Sequence, residues 1–122
     1  MSKFNSFEEI LAWQKARELN LEIYLISDQG LFNKDFDLRS QIRRSSISIS
    51  SNIAEGFERG TTKEFIRFLY IAKASAGEFR SQLYLAQDLK YVENEDFERL
   101  NSKVSDISKM ISGLIKYLNA TL

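Results

Sequence analysis

Residues 41–60 read QIRRSSISISSNIAEGFERG, and the stretch Ser45 to Ser51 within them decides the fold class. Taken alone, Ser46-Ile47-Ser48-Ile49-Ser50 alternates with the period of two that a half-buried strand requires. The surroundings say otherwise. Leu38, Ile42, Ile49, Ile53 and Phe57 keep a helical spacing that passes through the serines without a break, so the segment reads as one helix over about residues 38–59. Serine is a poor helix former because its hydroxyl competes for nearby backbone groups. Its small side chain lets a neighbouring helix come close, and a crowded face is expected here.

Working outward, three more amphipathic segments flank this one. The first, over about 7–27, opens on a capping box, Ser6 with Glu9, and carries Phe7, Ile10, Leu11, Leu19, Ile23 and Ile26 at helical spacing, with Trp13 and Tyr24 widening the stripe or at its edge. Gly30 is expected to stop it, since glycine takes the left-handed conformation without a Cβ clash. Asp37 is the expected cap of the second helix. A third segment, 62–90, opens on a second capping box, Thr61 with Glu64. It repeats Phe65, Phe68, Leu69, Ala72, Ala76, Phe79, Leu83 and Ala86, and Gly77 within it is expected to mark a close contact. The fourth, 95–119, follows Asn94 as cap and has the strongest period: Phe97, Leu100, Val104, Ile107, Ile111, Leu114, Leu118. No proline interrupts any of them. Short connections force neighbours antiparallel. The expected fold is therefore all-α, an antiparallel up-down four-helix bundle with short loops, in one domain spanning 1–122.

Composition bounds the function by subtraction. The chain of 122 residues has no His and no Cys. That excludes Cys/His zinc sites, thiol nucleophiles, Ser-His-Asp triads and disulfides. No catalytic residue, metal site or cofactor is expected, and the chain is not read as an enzyme. No apolar run approaches the roughly 20 residues that span a bilayer. Met1 to Ser6 lack the charged-then-apolar order of a signal peptide, so a cytoplasmic protein is expected. Lys plus Arg is 17 and Asp plus Glu is 17, for a net charge of zero. Any affinity for nucleic acid must then come from a local basic patch.

Two sets of polar residues stand out. Arg44, Ser48, Asn52, Glu55 and Arg59 form one stripe at spacings of four, four, three and four, and Glu78 and Gln82 sit four apart on the third helix. They read as a charged network that fixes helix register and assembly, or as a polar channel or ligand-contacting face. Glu55 and Glu78 are a formal carboxylate pair for acid–base work, but no nucleophile, metal ligand or phosphate loop accompanies them. The second set is basic: Arg39, Arg43 and Arg44 start the second helix, and Lys63, Arg67, Lys73 and Arg80 recur along the third. These are either a solvated face or phosphate contacts, which position a nucleic-acid backbone without reading sequence. Arg39, Arg43, Lys63, Arg67, Lys73 and Arg80 are the candidate contacts, with Tyr70 and Tyr84 as candidates for base stacking.

The segment from Gln41 to Gly60, centred on Asn52-Ile53-Ala54-Glu55-Gly56, strongly resembles the signature of a bacterial four-helix-bundle family, the proteins encoded in 23S rRNA intervening sequences. Phe7 to Ala16 matches the family's first helix. Phe65 to Glu78, followed by Gln82-Leu83, matches its third. The resemblance covers nearly the whole chain. It implies an up-down bundle assembling as a ring, typically a homopentamer. It also implies kinship with the accessory variability determinant of diversity-generating retroelements, a pentameric, basic protein that binds nucleic acid and a reverse transcriptase. The expected partners are copies of the chain itself together with RNA or DNA. The alternative is a protein-interaction scaffold with no nucleic-acid role.

Overall fold

A computed structural model describes residues 3–122; the part of the N-terminal reading that rests on Met1 and Ser2 lies outside them. A 3-10 turn, Phe7–Glu9, leads into α1 (Leu11–Ser27), α2 (Gly30–Lys34), α3 (Phe36–Glu58), α4 (Thr62–Asp88) and α5 (Asn94–Ala120). The four long helices form the up-down bundle. α3 packs on α4, α4 on α5 and α1 on α3, while α1 against α5 closes the square. The short α2 turns the corner between α1 and α3. The stretch 45–51 is helical throughout, and there is no strand among the described residues. No helix among them is long and apolar enough to cross a membrane.

The caps follow the expectation at one helix start only. Thr61 Oγ1 accepts from the Glu64 N–H at 3.2 Å, but the Glu64 carboxylate turns to arginines instead of closing the box. Ser6 makes no side-chain cap, and Glu9 accepts from the Asn5 N–H at 3.2 Å. The chain then extends at Ile10 (φ −78°, ψ 118°), whose side chain drops into the core, so α1 begins at Leu11 and not at Phe7. This shift turns Leu11 outward. An edge-on contact of Phe7 with Trp13, centroids 5.0 Å apart, holds the turn in place.

Asp35, not Asp37, caps α3, accepting from the Leu38 N–H at 3.1 Å. Its other oxygen accepts from the Tyr91 hydroxyl at 2.9 Å, and the Tyr91 ring stacks on Phe32 of α2. This clasp ties the start of α3 to the α4–α5 connection. Gly30 does take a positive φ of 56°, but it opens α2, while Asp28 ends α1. Glu93 precedes α5 in place of Asn94, without a side-chain cap.

The core is the sum of the four apolar stripes. On α5 the buried series runs Phe97, Leu100, Val104, Ile107, Ile111, Ile115 and Leu118; Leu114 is only half-buried. A 3.6-residue period drifts against a strict seven-residue repeat, and by the last turns Ile115 has rotated into the seam. Gly56 lies at a close approach of α3 and α4, whereas Gly77 has open space where a Cβ would stand, contrary to the expectation.

Candidate functional site

The serines of α3 face two ways and hydrogen-bond on both sides. Toward α1, Ser46 Oγ donates to Asn20 Oδ1 at 2.7 Å, and Asn20 Nδ2 donates to Ser50 Oγ at 3.0 Å. Toward α4, Ser45 Oγ donates to Gln82 Oε1 at 2.7 Å, and the Ser48 and Ser75 hydroxyls lie 2.8 Å apart. Ser45, Ser46, Ser50 and Ser75 are buried, and a buried hydroxyl is tolerated because it is bonded. The crowded serine face is therefore a pair of polar seams that set the register of α3 between its neighbours.

The polar stripe expected from sequence extends only the α4 seam. Asn52 bonds back to Ser48, donating to its carbonyl oxygen at 2.8 Å and to its hydroxyl at 3.0 Å. Glu78 accepts from Gln82 at 3.5 Å. Glu55 pairs with Arg59 at 3.2 Å on the exposed surface. Glu55 and Glu78 are thus engaged with different partners. Arg44 stays out of the network, exposed and without a hydrogen-bond or ion-pair partner among the described residues.

The basic residues do not form one stripe. Arg67 and Arg59 converge on Glu64, and both lie over the Phe68 ring at 4.8 Å, bracing the α3–α4 corner. Lys63 is exposed beside them. Lys73 and Arg80 lie on the flank toward α5: Arg80 donates to Asn101 at 3.4 Å, and Lys73 lines a groove with Ser112 and Lys116. Arg39 and Arg43 sit apart from all of these. Arg39 donates to the Asn33 carbonyl at 2.9 Å and to the Asn33 side chain. Arg43 donates to Ser27 Oγ at 2.7 Å and to the Tyr24 carbonyl at 3.2 Å, one of the free carbonyls at the end of α1.

Sequence reasoning missed an ion network between α1 and α5. Lys103 Nζ lies 2.8 Å from both Glu18 and Glu22, and Arg99 Nε lies 2.9 Å from Glu22. The signal was present: an acidic pair and a basic pair, each four apart, on helices that the fold makes neighbours. The Lys103 hydrogen bond holds Glu18 below the usual carboxylate value. Burial pushes Glu22 up, but hydrogen bonds from Lys103 and Arg99 outweigh it and the net direction is down. Lys103 is raised, its desolvation outweighed by its two carboxylate partners.

Two open grooves meet at Tyr24. One, of about 510 Å³, runs between α1 and α3 and is lined by Tyr24, Arg39, Ser40, Arg43, Arg44, Ile47 and Ser48. The other, about 690 Å³, follows α1 past Trp13, Arg17, Leu21 and Tyr24.

Fold and surface together define a small helical-bundle protein whose polar seams are structural and whose unpaired chemistry lies on its outer faces. The family model described as 23S rRNA-intervening sequence protein matches residues 8–113, and the chain belongs to that family. It is also similar to the crystal structure of a protein of unknown function from the S23 ribosomal protein family of Bacteroides thetaiotaomicron VPI-5482. The TM-score is 0.80 at 30% identity, over 87% of this chain and 96% of that one. No curated protein is significantly similar to the chain.

Proposed function

We propose that the protein works without catalysis in the cytoplasm, as a ring-forming homo-oligomer of five copies that binds RNA or DNA. The observation that carries this reading is the outer face of α4. Tyr70, Ile71, Tyr84 and Leu85 are 39–55% exposed there, around the small residues Ala74, Gly77 and Ser81, all on the side away from the core. Contiguous exposed apolar surface marks an interaction site, and small residues at its centre let a second helix approach closely. The number five comes from the resemblance to a ring-forming family. The absence of His and Cys from the sequence supports a non-catalytic role.

Light scattering after gel filtration tests the assembly. Five copies of the 14.2 kDa chain weigh about 71 kDa, and a 14 kDa peak would refute the ring. Binding to structured RNA, followed at two salt concentrations, tests the nucleic-acid half, because phosphate contacts impose a salt dependence.

The zero net charge favours a second reading, a protein-interaction scaffold. A pull-down that returns one protein partner and is insensitive to nuclease would favour it. A nuclease-sensitive absorbance at 260 nm in the purified protein would favour the first.

A further inference from the structure

A net charge of zero does not mean a neutral surface everywhere, because the carboxylates are spent unevenly. Arg59 and Arg67 are compensated by Glu55 and Glu64, and Arg99 by Glu22 and Asp96. In the furrow formed by the two grooves that share Tyr24, the compensation is nearly missing. Arg39 and Arg43 are anchored on neutral acceptors, so their geometry is fixed while their charge remains. The one carboxylate within ion-pair distance of them among the described residues is Asp28, 4.0 Å from Arg43 and 72% exposed, too solvated to cancel much. Arg44 is unpaired among the described residues, and Arg17 rests over the Trp13 ring at 5.7 Å. Glu18, the carboxylate of the α1 groove, is already held by Lys103.

Aromatic rings alternate with these charges. Trp13 and Tyr24 lie eleven residues apart on α1, about 16 Å at 1.5 Å per residue. Arg43 covers one side of the Tyr24 ring at 4.3 Å, and Tyr24 keeps 39% of its surface open. A groove of fixed positive charge punctuated by aromatic faces is the arrangement that holds single-stranded nucleic acid, with phosphates on the arginines and bases on the rings.

We propose that the furrow along α1 and α3, built from Trp13, Arg17, Tyr24, Arg39, Arg43 and Arg44, is a binding track for a few nucleotides of single-stranded RNA or DNA. The proposal rests on the nucleic-acid reading above and deepens it, moving the contact away from Lys63, Arg67, Lys73 and Arg80. It also leaves the α4 face free for assembly. Within the track, Arg17 and Arg44 are the two arginines tied to neither backbone nor carboxylate among the described residues, so they are free to close on phosphates. Ile47, 38% exposed beside Arg44, offers an apolar rest for a sugar or base edge.

The test uses the single tryptophan of the chain, Trp13, which lies in the track. A fluorescein-labelled 12-nucleotide single-stranded RNA is titrated by anisotropy at 50 and 200 mM KCl, and an unlabelled copy is titrated against Trp13 emission. Expected are salt-sensitive binding and quenching of Trp13 over the same concentration range. Arg17→Gln with Arg44→Gln should weaken binding at least tenfold and flatten the salt slope by about 1.4, at roughly 0.7 per phosphate contact on a single strand. Tyr24→Leu should cost about fivefold or more. Lys63→Ala with Arg67→Ala should bind like the parent.

Binding that leaves Trp13 emission unchanged and is unaffected by the Arg17 and Arg44 variants would overturn the track while the nucleic-acid reading stood. No anisotropy change at 50 mM KCl would remove both. Equal displacement of the RNA by poly-L-glutamate of the same charge would also overturn it, pointing to an acidic protein partner. So would a change of oligomer size in the Arg44 variant, which would assign Arg44 to assembly.

Discussion

A methyl group placed on Gly56 would stand 2.5 Å from the Cβ of Phe68 and 3.2 Å from the Phe65 ring, so α3 and α4 touch backbone to side chain here. Alanine normally gains about 1 kcal/mol over glycine within a helix. Here the clash is with a Cβ, which cannot rotate away, and overpacking of this kind costs about 1–3 kcal/mol. Gly56→Ala is therefore expected to destabilise the fold, read as a lower denaturation midpoint with an unchanged slope. Gly113 has nothing within 4 Å of its Cβ position, and Gly113→Ala should raise stability by about 0.5–1 kcal/mol. Equal signs for the two variants would contradict the close approach.

The α1–α5 ion network sets the response to pH. Glu18 and Glu22 are held below their ordinary value of 4.5 in the folded chain, so their stabilisation is present above 4.5 and is lost as pH falls through the lower, folded values. Lys103 is raised above its ordinary 10.5. Its contribution is present below 10.5 and disappears as pH rises through the higher, folded value. Thermal melts across pH should show a plateau between these limits with a fall on either side. Glu22→Gln should shallow the acid limb, and an acid limb unchanged in that variant would detach the network from stability.

Lys90 carries a positive φ of 62° at the end of α4, where the Tyr91 N–H reaches back to the Ala86 carbonyl at 2.9 Å. This is the position that glycine favours after a helix, and a side chain there costs about 1 kcal/mol. Lys90→Gly should raise the melting temperature by several degrees. Lys90→Val should lower it, because a β-branched side chain fits that conformation worst. Calorimetry on the two variants decides.

Glu55 sits in the stretch on which the resemblance centres, yet its only ion pair among the described residues is an exposed one with Arg59 four residues on. Such pairs contribute about 0.3–0.5 kcal/mol. Glu55→Ala should change the stability of a single chain by no more than about that, as followed by urea denaturation. A larger loss, or a shift in oligomer size by light scattering, would instead make Glu55 an assembly contact.

The sequence by itself determined the four long helices, their antiparallel order and most of the core. Residues three and four apart share a helix face whatever surrounds them, and that regularity carried Ser45–Ser51 into a helix despite its strand-like alternation. What it could not determine were relations between helices. Asp35 takes the cap expected of Asp37 while Tyr91, 56 residues away, donates to its other oxygen. Gly56 is crowded because it faces α4 across the packed interface, and Gly77 is free because it lies on the side of α4 away from the core. The zero net charge resolves into paired and unpaired arginines only when the bundle decides which carboxylates lie within reach. Local rules act within a turn or two of helix; the pairing of charges, the close contacts and the grooves depend on distances between turns remote in sequence, which only the packed bundle fixes.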